Sequence, residues 1–501
     1  MVACNNNDFL AESNMPNNPV EELSAVEKAY LADPEASVLR EFGKALYSAM
    51  SESPMLREII KTEAVKQFDK DYDVLYQLIK NREVEDGLTV SKLLLKHFDD
   101  AATLMRIEAR CPLLTIFVPV LPEDSFSAET WNPAEQVPAV AIHTKHYNIP
   151  VISEYGFCDE NSDEFVVAAG YIPAFPVVVL KQNERVIVAR DGVQTQSAGL
   201  NSTGSNFNFE FIDDCFDGSK TENVLQRAVL AGAVDQKVRD AYTIYENADG
   251  WQRDYIYYGL TPSNTTGPFC YDFEEMVTSF RFSPNASPAA ILAKISDATA
   301  DPALIPLTTN TNFPWTDGYF EFRIYAEIGT KAQITPTKTI FFHASPNELF
   351  EVTFTKKFSF VIDLYEPKVT GFKTKDLTGA LMNWNLENFS PIMKISISEF
   401  DLSETLTITS TNTVEFAGNI GGDFKDGLKF GASAKHTQTT TFTQVSQLGS
   451  DELGEVLVNF ADKIVTSTVN STGGIIIPII YNIRDYYNDV YSITVEPVRV
   501  Q

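Results

Sequence analysis

Three short acidic runs carry the residue types that hold calcium. Asp69, Asp71 and Asp73 alternate in Phe-Asp-Lys-Asp-Tyr-Asp. Asp159, Asn161 and Asp163 alternate in the same way, and Asp213, Asp214 and Asp217 crowd against Gly218. Calcium takes about six to eight oxygen ligands, and an EF-hand loop adds a glycine at its sharp turn and a closing bidentate glutamate. None of the runs offers both. Simpler duties fit them: a helix cap before Val74, a hairpin turn, and a turn leading into a capping box from Ser219 to Glu222. The expectation is no cofactor, with Ca2+ at the second and third runs as the alternative. A different chemistry is offered by Trp251-Gln252-Arg253-Asp254-Tyr255-Ile256-Tyr257-Tyr258. On a strand, Trp251, Tyr255 and Tyr257 share a face with Arg253 between them, a row that stacks on sugar rings or grips a peptide. The same row also serves as the core of a sandwich with tyrosine hydroxyls at its rim.

Other constellations are weaker. His143 and His146 form an HxxH beside a predicted strand, where positions three apart face opposite ways and do not converge on one metal without a turn. There is no HExxH, GxSxG or SxxK signature, and no glycine-rich phosphate loop opening a helix. Paired carboxylates are too frequent in this chain to single out a glycosidase pair. Enzymatic chemistry therefore has no positive support. A net charge of −29 repels phosphate backbones, and no Lys/Arg cluster offsets it, so nucleic acid is excluded as a partner. Cys4 apart, Cys111, Cys158, Cys215 and Cys270 form either two disulfides, with connectivity open, or four buried thiols.

The elements that must position these residues change character along the 501 residues. Residues 1–21 read as a polar tether. Over 22–110, Asp33-Pro34 and Ser53-Pro54 each start a helix. Apolar sets follow at spacings of three and four: Val38, Leu39, Phe42, Ala45, Leu46, Ala49; then Leu56, Ile59, Ile60, Ala64, Phe68. Val74, Leu75, Leu78 and Ile79, then Val90, Leu93, Leu94 and Phe98, complete a predicted helical bundle. Residues 111–215 carry short β-branched runs and read as a small β domain. Residues 216–370 read as a helix from the capping box to Gly250 plus a β-sandwich, and 371–501 as a second sandwich. The fold class is α+β. No stretch reaches the ~18 apolar residues of a membrane span.

Ala3-Cys4, followed by Asn5-Asn6-Asn7-Asp8, resembles the end of a bacterial lipobox, in which the cysteine is acylated after signal-peptide cleavage. The charged and apolar parts of that signal are expected upstream of Val2. With Tyr72-Asp73-Val74-Leu75-Tyr76, Trp251-Gln252-Arg253-Asp254 and Ser492-Ile493-Thr494-Val495-Glu496-Pro497, the chain resembles the lipid-anchored surface proteins of Bacteroidota. The resemblance implies an extracytoplasmic lipoprotein tethered to the outer membrane through Cys4 alone, facing the surface or the periplasm. It supplies no catalytic residues. Thr405 to Ser446, alternating apolar residues with Ser and Thr around Gly421-Gly422, resembles the insertion region of aerolysin-like pore-forming proteins, although a sandwich strand pair has the same pattern. The expected function is a non-enzymatic surface module that binds a surface protein or a glycan. A β-pore former is the alternative, and an extracellular hydrolase the third reading.

Overall fold

The computed structural model describes residues 20–21, 34–143, 149–153, 164–168, 170–189, 199–200, 208–220, 234–295, 315–316, 318–330, 337–358, 362–399, 409–417, 428–429, 439–447, 452–469 and 479–500. The chain is α+β, with helices and strands in several sheets. It divides into two compact units, each gathered from three separate stretches. Unit 1 takes Met1–Lys220, Pro288–Phe320 and Ser345–Gly371; unit 2 takes Thr221–Ser287, Glu321–Ala344 and Phe372–Gln501.

Unit 1 is built on a mixed sheet of β1 (Val20–Glu21), β2 (Asp73–Leu75), β3 (Leu114–Phe117), β4 (Ala139–Ile142), β5 (Ile149–Ile152), β6 (Glu164–Val167) and β7 (Val177–Gln182), in the order β1-β6-β5-β4-β7-β3-β2. Among the described residues only the β4–β7 pairing of this sheet is parallel. Strands β3 to β6 are buried at every position, the pattern of a sheet covered on both faces.

Helix α1 (Pro34–Glu52) lies across this sheet, burying Leu39, Phe42, Ala45, Leu46 and Ala49 at the predicted spacing. Gly43 sets the distance of approach. A Cβ there would stand 2.9 Å from Ile152 Cδ1 on β5 and 3.0 Å from Ile142 Cδ1 on β4. Helix α2 (Pro54–Val65) begins where Ser53 Oγ accepts the Leu56 N–H at 3.1 Å, with Pro54 at its first position. The helices and the sheet share one core, so the residues predicted to bury against one another in a bundle bury against strands as well. Val74 and Leu75 lie on β2 rather than on a helix, because their backbone pairs with Ile116 and Thr115 of β3; only one helical turn, α3 (Tyr76–Ile79), follows. Helices α4 (Val90–Leu95) and α5 (Ala101–Arg110) close the layer.

Unit 2 holds two four-stranded sheets. One runs Lys375–Met382, Phe273–Phe282, Tyr491–Arg499, Asp485–Tyr487; the other runs Thr337–Ala344, Phe320–Thr330, Phe389–Glu399, Glu452–Asn459. Aromatic rings from both meet in the core. Phe280 lies 5.6 Å from Phe322 and 5.4 Å from Phe342, centroid to centroid. Two helices accompany these sheets: α6 (Gln236–Ile244), capped by Asp235, and α7 (Gln252–Tyr258). Of the long predicted helix ending at Gly250, residues 221–233 lie outside the described residues, and the described part starts at the Asp235 cap and stops at Ile244.

Candidate functional site

The densest chemistry in unit 1 gathers where β2, β3 and β7 lie side by side. In the register, Asp73 faces Phe117, which faces Val179, while Lys181 faces Thr115 two positions along. Strand alternation therefore puts Asp73, Phe117 and Lys181 on one face of the sheet. The chain enters β2 through Asp69 and Asp71 and leaves β7 through Asn183 and Arg185. Asp69, Asp71, Asp73, Lys181, Asn183 and Arg185 are each no more than 2% exposed, so each polar atom must find its partner within the protein.

Asn183 Nδ2 donates to Asp69 Oδ2 at 2.6 Å and to Asp73 Oδ2 at 3.2 Å. Arg185 Nη1 donates to the Asp69 carbonyl at 2.8 Å, and its Nη2 stands 3.7 Å from Asp71 Oδ2. Lys181 Nζ lies 3.6 Å from Asp73 and 2.9 Å from Glu184. Both cations also cover rings: Lys181 stands 5.0 Å from the Phe117 centroid, and Arg185 stands 5.3 Å from that of Tyr319. Burial pushes all three aspartates above the usual carboxylate range. For Asp71 the result is about 6, with Arg185 opposing the rise and the Asp73 charge adding to it.

Asp71 alone of the three opens onto a cleft of about 170 Å³, walled by Tyr72, Phe117, Trp315, Tyr319 and Phe354. Its two oxygens accept the N–H groups of Tyr72 at 2.7 Å and Tyr319 at 3.3 Å. Gly318 makes the second bond attainable. Its φ is +84°, and a Cβ there would fall 2.2 Å from Asp71 Oδ2. The walls feel negative charge. Tyr319 is pushed up to about 12 by burial and then by Asp71 and Glu348, and Tyr72 rises through burial and then Glu129, whose carboxylate its hydroxyl meets at 3.4 Å.

The helix-cap duty expected of Asp69, Asp71 and Asp73 is corrected here, since they turn inward toward Asn183, Lys181 and Arg185. Lys181-Gln182-Asn183-Glu184-Arg185 is a continuous polar run directly after Val-Val-Val-Leu, and nothing in it singles out the distant acids as its partners.

Of the other predicted positions, Cys4, Asp159, Asn161 and Asp163 lie outside the described residues, as do His146 and Cys158. Asp213, Asp214 and Asp217 occupy a turn. Asp213 Oδ1 caps Cys215 N at 2.9 Å, Asp214 pairs with Lys220, and Asp217 Oδ1 accepts both polar groups of Ser219. Among the described residues no group of three or more His, Cys, Asp or Glu side chains is placed to hold a metal ion. Nor is any helix among them long and apolar enough to cross a membrane. Cys111, Cys215 and Cys270 form no disulfide; burial pushes the Cys111 thiol up to about 11 and, with Asp213 adding, raises Cys215 further.

The aromatic row of unit 2 needs the largest correction. Gln252–Tyr258 forms α7, with Trp251 at its cap, instead of a strand, so Trp251, Tyr255 and Tyr257 do not line one face. Asp254 Oδ2 accepts the Trp251 N–H at 3.1 Å to start the helix, and Gly259, at φ +64°, ends it. Arg253 and Tyr257 are fully buried. The guanidinium makes a bidentate pair with Glu275 at 2.7 and 2.9 Å and donates to the Phe460 carbonyl at 3.2 Å, while Tyr257 donates to Glu275 at 3.1 Å. Burial alone would lower the Arg253 pKa, but Glu275 holds it above its ordinary value. Trp251 and Tyr255 are half-buried. The row thus fastens the helix to the sheet. No protein-family model, curated protein or solved structure matches this chain.

Proposed function

We propose that the chain is a non-enzymatic, extracytoplasmic lipoprotein, tethered at the outer membrane through Cys4, whose unit 1 binds an exposed partner, either a surface protein or a glycan. The observation that carries the binding role is the cleft of unit 1, where aromatic side chains surround one carboxylate. Concave aromatic surfaces with few convergent polar groups are the usual form of a ligand site. Asp71 is held by backbone N–H groups and Arg185, and among the described residues no nucleophile is bonded to it, which favours recognition over catalysis. The finer reading of unit 2 belongs here too: β-sandwich regions that serve for display. The decisive experiment is ligand capture by glycan and surface-protein arrays, comparing the native chain with Trp315→Ala. Binding that the variant lacks supports the reading, and identical binding by both sinks it. Metabolic labelling with a fatty acid in cells carrying the whole gene should be lost in Cys4→Ser.

A second reading rests on the ribbon of Thr409–Ala417 and Thr439–Gln447. These strands pair with each other over nine positions, and among the described residues they join no larger sheet. A self-paired ribbon of alternating residues is what a β-pore former extends into a bilayer. Dye release from liposomes by the purified protein would favour this reading over the first.

A further inference from the structure

The same cleft narrows the ligand, and the inference rests on the binding role just proposed. We infer that the cleft of unit 1 takes an organic ammonium group, with Asp71 as its counter-charge and Tyr72, Trp315 and Tyr319 as its walls. Three observations converge. Tyr72, Phe117, Trp315, Tyr319 and Phe354 supply rings to the lining beside the aliphatic Val120, Pro122, Ile172 and Pro346, and rings attract cations through their negative faces. Among the described residues, the only ionisable acid or base besides the tyrosines lining the cleft is a carboxylate, Asp71, backed by Asp69 and Asp73 and answered within the protein by Lys181 and Arg185. The two tyrosine walls have further carboxylates beside them, Glu129 at the Tyr72 hydroxyl and Glu348 near Tyr319, so an anion entering the cleft would meet like charge from two sides. At about 170 Å³ the cleft matches an ammonium head and its neighbouring methylenes, and is too small for a whole sugar chain. The net charge of −29 raises the local concentration of cations before they dock.

The test uses the full chain and calorimetric titration with choline and with 3,3-dimethylbutan-1-ol, its uncharged carbon isostere. Choline is expected to bind at least tenfold tighter than the isostere, and Trp315→Ala and Tyr319→Ala should each weaken it by about tenfold. Far-ultraviolet dichroism identical to the native chain guards against misfolding, and Tyr319→Phe, which keeps the ring, should retain binding. A lysine-containing peptide and glucosamine then separate the two sources of an ammonium group, a protein side chain and an amino sugar. Equal affinity for choline and its isostere would overturn the charge requirement while leaving the binding role intact. No heat and no competition from any ammonium probe, with array ligands still captured in a Trp315-dependent way, would overturn the ammonium inference alone. If array binding also ignores Trp315→Ala, the parent reading fails with it.

Discussion

At Asp71, position in the chain and surroundings pull in opposite directions. Its carboxylate is pushed up to about 6 by burial, with Arg185 opposing and Asp73 adding, while Asp69 and Lys181 stand in the same cluster. A carboxyl with a folded pKa above its unfolded value binds more protons in the folded state between the two. Its contribution is therefore fully present below about pH 4 and is lost as pH rises through about 6. Chemical denaturation from pH 4 to 8 should show this decline, flattened in Asp71→Asn; an unchanged slope in the variant would argue against the assignment. At Glu275 the matter is pairing, since its bidentate partner Arg253 is buried and charged. Glu275→Gln strands a buried guanidinium and should cost about 3–5 kcal/mol, whereas Arg253→Met with Glu275→Leu should cost much less. A double variant as unstable as the single one would show that the pair itself, not the orphaned charge, matters. The acids of the cluster were legible in sequence as an alternating run, but their inward turn was not. That turn depends on Lys181 and Arg185, more than a hundred positions away, and no local pattern reports such a distance.

Helices and strands were legible to different depths. The faces of α1 and α2 were readable because each helix carries its own period, and none of Leu39, Phe42, Ile59, Ile60, Leu78, Leu94 and Phe98 is exposed. What they pack against was not readable, because an apolar stripe is the same whether a helix or a sheet covers it. α7 was misread for a related reason. Its start has no Ser, Thr, Asp or Asn at the cap position, and Asp254 three residues on does the capping instead. Gly43 marks where α1 meets the sheet. Gly43→Ala should be nearly neutral, since better helix propensity offsets a push on two flexible Cδ1 atoms. Gly43→Leu should lower stability by about 1–3 kcal/mol through overpacking, read as a shift in denaturation midpoint at constant slope. A neutral leucine would mean that α1 does not sit this close to β4 and β5.

The two units are threaded through one another in sequence, and this bears on any attempt to separate them. Unit 1 is complete only with Pro288–Phe320 and Ser345–Gly371, the stretches that bring Trp315, Gly318, Tyr319 and Phe354 to the cleft. A fragment of residues 1–220 should therefore lack a cooperative transition, while 1–371 should keep hydrogen-exchange protection in α1, β4 and β7. A well-folded 1–220 fragment would contradict the division. The same threading has a temporal side. At roughly 5–20 residues per second, a ribosome needs roughly eight to thirty seconds to carry synthesis from Lys220 to Gly371. For about the first two-thirds of that interval Asp71 waits without the Tyr319 N–H, and throughout it β3 and β7 wait without the rest of their unit. The nascent chain is then an anionic, incompletely covered sheet until its last segment arrives.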